Sequence, residues 1–278
     1  MIRFQKLSRP IQVNNFKRCL SLAFLILGVT LQFSAQESTT PAVTGDGTLR
    51  RLKVPILMYH YVGDLPENAD VYRVGLTISR DVFQAHVQYL AENRYETITL
   101  YELERALMLG IALPERPVIL TFDDGYLDHF QNVFPILQSQ NMTGTFFIIT
   151  AFADENRQGY LTWQQIQMMA EAGMSMESHT KTHPELTNRD YDFLVYEILG
   201  SLQSLEAYLG QSTRMFAYPI GRYDEQTLRL IESTPILRAV TTENGIWHTS
   251  SNRHQVTRLR ISNETGVAGL AQLLNTGR

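Results

Sequence analysis

A single cysteine, Cys19, stands in the whole chain, so no intrachain disulfide is available. At this length a hydrophobic core forms without covalent staples, so the missing pair excludes a disulfide scaffold and nothing else. Charge of one sign is also lacking. A net charge of −4 leaves no basic stripe, and a nucleic-acid partner is not expected. No strand is followed by a Gly-rich dinucleotide loop or a P-loop, which argues against nucleotide chemistry. Internal repeats and low-complexity tracts are absent.

Residues 1 to 18 carry Arg3, Lys6, Arg9, Lys17 and Arg18 and no acid, and "LSLAFLILGVTLQFSA" follows at 20–35. A basic start before an apolar run reads as an export signal. Phe33 occupies the place where a cleavage site has a small side chain, so residues 1–35 are expected to be either a signal peptide or an N-terminal anchor. The apolar run is short against the roughly 20 residues of a spanning helix. Cys19 precedes the run and so does not mark a lipid-attachment site. "QESTTPAVTGDGT" opens a linker, 36–51, and one catalytic domain is expected over 52–278. The protein is expected beyond the cytoplasm, as a monomer touching membrane only through an uncleaved N-terminal segment.

From Leu52 onward, short β-rich runs alternate with helical patterns. The runs "VPILMY" (54–59), "ETITL" (96–100), "VILTF" (118–122), "GTFFIIT" (144–150), "SMESH" (175–179), "RMFAYP" (214–219), "RAVTT" (238–242) and "RLRIS" (258–262) read as strands. Thr99 with Glu102, and Thr162 with Gln165, have the spacing of capping boxes. Leu194, Ile198, Leu202, Leu205 and Leu209 form a core stripe. Repeated strand–helix units predict an α/β fold, a (β/α) barrel of about seven strands, with an open doubly wound sheet as second choice.

Barrel chemistry collects at the C-terminal ends of the strands. Those ends carry His60, then the adjacent carboxylates Asp123 and Asp124, then His179 and His183, then "YPIG" with Tyr218 and Ile220. Like charges as close as Asp123 and Asp124 need a positive partner. Two imidazoles and one carboxylate leave open positions on a divalent cation, the pattern of a catalytic metal site. One aspartate then ligates and its neighbour is free to act as a base. Pro184 points to a loop or a single turn for the two histidines rather than a continuing helix. His86 and His129 read as exposed or interfacial. His248 and His254 lie in a late loop that could approach the site. Trp163 and Trp247 read as packing residues. A barrel glycosidase would need a separated carboxylate pair, which adjacent aspartates do not supply.

"TFDDGY" and "SHTKTHP" resemble the first two motifs of the polysaccharide deacetylases, carbohydrate esterase family four, and "FAYPIGRYD" (216–224) resembles the third. The stretch 161–187 is similar to that family throughout, and "VPILMYHYV" (54–62) resembles its poly-N-acetylglucosamine deacetylase branch. The likeness runs from about residue 52 to 262. It implies a deformed barrel and metal-dependent removal of N-acetyl groups from an amino-sugar polymer. It further implies Asp123 as general base and Asp124, His179 and His183 as ligands of a divalent metal, zinc by preference. Thr180 would brace the histidine loop, and Ile220 and Tyr218 would stand at the substrate and oxyanion. Two departures qualify it. Ala217 occupies the place of the arginine that orients the base, and "LRISNET" (259–265) lacks the late histidine acid. In the permuted branch His60 takes the acid's place. Peptidoglycan or chito-oligosaccharide deacetylation is the alternative activity, and a catalytically silent glycan-binding barrel is the alternative class.

Overall fold

The computed structural model describes residues 45–277. The expected signal or anchor, 1–35, lies outside the described residues. Of the expected linker, residues 45–51 are described. There Arg50 pairs with Asp46 at 2.6 Å and donates to the Leu107 carbonyl at 3.2 Å.

Seven parallel strands close into a ring: β1 (Ile56–Tyr59), β2 (Pro117–Phe122), β3 (Thr145–Ile148), β4 (Ser175–Ser178), β5 (Met215–Ala217), β6 (Arg238–Asn244) and β7 (Val256–Arg260). Strand β1 joins the two ends of the chain's path. Its Leu57 pairs with Leu120 of β2 on one side and with Leu259 of β7 on the other. The barrel is deformed at two seams. Between β4 and β5 the only partnered residues are Ser178 and Phe216, and the register between β6 and β7 slips between Val240 and Asn244. The expected strand at 96–100 is only Glu96–Thr97, which pairs with Pro117–Val118 outside the ring. The Thr99 cap starts a helix, Leu100–Leu109, before the strand can lengthen.

Side chains alternate across each strand, and the two faces bury different sets. Ile56, Ile119, Phe147, Met215, Ala217, Val240 and Val256 share one cluster. Leu57, Tyr59, Leu120, Phe122, Phe146, Ile148 and Met176 belong to another, with the helices Arg80–Glu92 and Trp163–Glu171. Each such side chain contributes about 1.5–3 kcal/mol on burial. Both capping boxes form, with Glu102 and Gln165 accepting from the N–H of their own N-caps. The stripe Leu194, Ile198, Leu202 and Leu205 is buried along the helix Tyr191–Leu209.

Two expectations about histidines fail here. His86 and His129 are wholly buried. His86 meets the Tyr59 hydroxyl at 3.2 Å. His129 opens a π-helical turn, His129–Val133, and its Nε2–H donates to the His60 carbonyl at 2.6 Å. Helical periodicity cannot show that a helix is covered on a second side, and both imidazoles find partners there.

Candidate active site

The row of side chains facing the barrel axis continues upward into polar residues. Ile56 and Met58 lead to His60, Ile119 and Thr121 to Asp123, and Val256 to Arg258 and Arg260. Strand alternation therefore delivers catalytic residue types to one end of the barrel. They open on a cleft of about 610 Å³ lined by His60, Asp123, Asp124, His179 and His183, with Tyr218 and Ile220 on its wall. All seven residues singled out in the sequence thus line one space. His248 and His254 do not. His248 Nε2–H donates to the Val54 carbonyl at 2.9 Å and His254 Nε2–H to the Ile236 carbonyl at 3.1 Å. Both carbonyls precede strands, so these histidines belong to the opposite mouth.

Backbone in the left-handed region concentrates at the site. Asp124 (φ 74°), Thr180 (φ 66°), His183 (φ 62°) and Ile220 (φ 50°) all adopt it. For a β-branched residue such as Ile220 this is an outlier, and such strain persists where the surroundings impose it. Gly125 (φ 69°) follows Asp124, so two successive left-handed residues turn the chain sharply out of β2. Thr180 Oγ accepts from the His183 N–H at 2.9 Å, bracing the histidine loop. Glu197, buried on the helix Tyr191–Leu209, accepts from the N–H groups of Lys181 (3.0 Å) and Thr182 (2.8 Å). The loop's donors are thereby satisfied, and the two imidazoles are held edge to face, 4.8 Å between ring centres.

Asp124 Oδ1 lies 3.3 Å from Nε2 of both His179 and His183. One ligand atom from each of the three falls within 4.8 Å of the others. His179 Nδ1–H donates to the Ala217 carbonyl at 2.8 Å, which leaves Nε2 facing Asp124, where a cation could replace the proton shared with that carboxylate. Burial pushes the Asp124 carboxyl up, but the bond and charge of His179 outweigh it and hold the group far below its ordinary value. Burial likewise opposes charge on His179, and Asp124 and Asp123 overcome it. His183 is pushed down to about 4, by burial first and by His179 second. A neutral imidazole, a second imidazole fixed in its donor tautomer and an ionised carboxylate make a donor set that fits a divalent cation.

Asp123 is separate from that set. Its Oδ1 and Oδ2 each accept from Arg258, both at 2.7 Å, and Arg258 also donates to Thr121 Oγ at 3.0 Å. Burial raises the Asp123 carboxyl, and the Arg258 charge more than offsets it. His60 Nε2 lies 3.9 Å from Asp123 Oδ2, its Nδ1 is buried without a partner, and burial lowers its pKa. Arg258 and Glu197 escaped the sequence reading. The available signals were an arginine on the inward row of β7 and an acid inside the apolar stripe of the long helix. Tyr218 donates its hydroxyl to the His254 carbonyl (3.0 Å) and its N–H to the Val240 carbonyl (3.2 Å).

Comparison with known proteins gives a consistent likeness. Residues 110–238 match the model of the family described as "Polysaccharide deacetylase". The protein YxkH of Bacillus subtilis (strain 168), assigned by name to the polysaccharide deacetylases, is 33% identical over 224 residues, covering 81% of this chain and 76% of that protein. The poly-beta-1,6-N-acetyl-D-glucosamine N-deacetylase of Escherichia coli (strain K12) is 24% identical over 242 residues, and the match spans 36% of its length. Among solved structures, the Streptococcus pyogenes deacetylase PplD in complex with acetate superposes with a TM-score of 0.75 at 29% identity, over 81% of this chain and all of that one.

Proposed function

The chain belongs to the polysaccharide deacetylase family, and on that premise we propose that it is an exported, metal-dependent hydrolase removing N-acetyl groups from an N-acetylglucosamine-containing polysaccharide, poly-N-acetylglucosamine foremost. One observation carries the reading. A carboxylate hydrogen-bonded by Arg258, with His60 3.9 Å away, stands beside a separate Asp124–His179–His183 donor set in the same cleft. Base and ligands are thus distinct groups.

A divalent cation held by Asp124, His179 and His183, zinc by the nature of the donors, would polarise the acetamide carbonyl and acidify a water. Asp123, ionised and oriented by Arg258, removes that water's proton. The water oxygen bonds to the acetyl carbon, with the Ile220 N–H assigned to the carbonyl oxygen. His60 delivers a proton to the sugar nitrogen as the C–N bond breaks. Return of the proton from Asp123 to His60, relayed by a water spanning the 3.9 Å between them, restores both groups. Tyr218, with N–H and hydroxyl already engaged, contributes wall rather than a donor. The lost motif arginine favoured a silent glycan-binding barrel. The Arg258 guanidinium, reaching Asp123 from β7, supports catalysis instead.

Acetate release from a panel of acetylated glycans tests the reading. Release is expected from the polymer, abolished by chelation and restored by zinc. Full activity in protein shown to be metal-free would overturn it. The basic start and apolar 20–35 segment support export. Cell fractionation with N-terminal sequencing checks this, and intact chain confined to the cytoplasm would refute it. Among the described residues no helix is long and apolar enough to cross a membrane.

A further inference from the structure

Three arginines belong to the active-site end of the barrel, and only one is explained by the chemistry above. Arg258 is committed to both oxygens of Asp123. Arg260, two residues on, occupies the same inward row one layer higher and lines the cleft. Among the described residues no carboxylate lies within ion-pair distance of its side chain, which is exposed at the mouth and makes no hydrogen bond. Arg73, on the short helix Val71–Leu76, lines the same cleft, and that helix is tied to the segment after β7 by the bond from the Asn263 N–H to the Gly75 carbonyl at 3.2 Å. Its guanidinium sits over the Tyr61 ring, 3.1 Å from the ring centre, and its Nε is buried without a hydrogen-bond partner. The Tyr61 ring is itself stacked on Tyr126, 3.7 Å between centres, so the guanidinium rests on a fixed surface.

Among the described residues no nearby carboxylate forms an ion pair with either arginine, although Asp128, whose Oδ1 is buried without a hydrogen-bond partner, feels the charge of Arg73. Asp70 lines the cleft too, but its Oδ1 accepts from the Arg73 backbone N–H at 2.7 Å. Asp128 Oδ2 accepts from the Val62 N–H at 3.2 Å. Elsewhere in the fold the buried guanidiniums of Arg238 and Arg258 each hold a carboxylate. Leaving two unpaired in a concave space focuses positive potential there. Three carboxylates (Asp70, Asp123, Asp124) and two guanidiniums (Arg73, Arg260) line the cleft, so a divalent cation would leave it net positive.

We propose that Arg73 and Arg260 form an anion site at the mouth of the cleft, which selects a glycan carrying a carboxylate or phosphate on, or next to, the sugar being deacetylated. A guanidinium fork suits either anion, because both present paired oxygens at its spacing. The site sits beside His60 and Asp123, within one cleft, so the anion would belong to the same short stretch of glycan as the acetamide. The same field disfavours neighbours already deacetylated, whose ammonium groups are positive. The inference rests on the deacetylase reading but departs from poly-N-acetylglucosamine, a neutral polymer, as foremost substrate, and it points to an acidic amino-sugar glycan.

The test uses the full zinc-loaded protein and three acetylated oligosaccharides of equal length and linkage: neutral, carboxylate-bearing and phosphate-bearing. Wild type is expected to show a KM about tenfold lower for at least one acidic oligosaccharide than for the neutral one. The acid that gains more identifies the source of the anion. Arg260→Gln and Arg73→Gln should each remove most of that advantage, while kcat and KM on the neutral oligosaccharide stay at wild-type values. Arg260→Lys should restore part of it. Equal KM for all three substrates in wild type, or equal losses on neutral and acidic substrates in the variants, overturns the site. Calorimetric titration with the same oligosaccharides separates this failure from that of the parent reading. If none releases acetate but the acidic ones bind tighter in an arginine-dependent way, the anion site stands and the deacetylase reading falls. If they bind no tighter than the neutral one, the anion site falls by itself.

Discussion

At the N-terminal mouth of the barrel, Glu104 lies between Arg238 at 2.6 Å and Arg253 at 2.9 Å. Glu104 and Arg238 are wholly buried, and burial pushes the Arg238 guanidinium down to about 10. At the C-terminal mouth, Asp123 is equally enclosed by Arg258, but Asp124, His179 and His183 point their ligand atoms into an open cleft. The first mouth closes its charges on one another and keeps ordinary backbone around them. The second leaves donors unspent and holds several residues in the left-handed region. Buried charge is therefore not the mark of function in this fold. What distinguishes the second mouth is a set of ligand atoms facing an open cleft from left-handed backbone.

The largest effect should come from breaking the open mouth. Asp123→Asn is expected to lower kcat by about 10³-fold or more while metal content stays at wild type, since an amide cannot accept the water's proton. Asp124→Asn should lose the metal instead. Elemental analysis beside the acetate assay separates the two, and identical metal content in both variants would refute the division of labour.

Breaking the closed mouth should damage stability and spare chemistry. Glu104→Gln leaves Arg238 buried without its counter-charge, a loss of about 3–5 kcal/mol. Chemical denaturation reads this directly. The kcat of the folded fraction should remain at the wild-type value, and a fall in kcat would show that the two mouths are coupled.

The smallest effect concerns pH. Glu177, on β4 toward the closed mouth, accepts from Ser175 Oγ at 2.7 Å and from the Met215 N–H at 2.9 Å. Burial outweighs these bonds and pushes its carboxyl up to about 7. A raised folded-state value means that the folded chain binds the proton more tightly than the unfolded one. The group costs nothing below its ordinary value of 4.5, and its cost grows as pH rises from there through about 7. The total is of the order of 3 kcal/mol. Glu177→Gln should flatten the fall in Tm across that window, and an unchanged slope would rule out Glu177 as its source.

The sequence carried the alternation that builds the barrel because parallel strands bury both faces and read as short apolar runs. It also carried Asp124, His179 and His183, whose residue types and strand-end positions are visible locally. Arg258 was not legible. An arginine on a strand reads as solvent-facing until the ring is known to close, and closure depends on β1 pairing with β7 across most of the chain. The place of His248 and His254 stayed open for a related reason. A loop before a strand and a loop after one look alike in sequence, yet they lie at opposite mouths.

Ring closure also sets a schedule. Asp123 is in place once β2 exists, but its counter-charge arrives only with Arg258, in the last strand to be made. A nascent chain that has emerged only as far as residue 250 lacks the seventh strand, keeps β1 unpaired along one edge and leaves Asp123 without its arginine. The cleft of such an intermediate is incomplete, and it is finished only when the first and last strands meet.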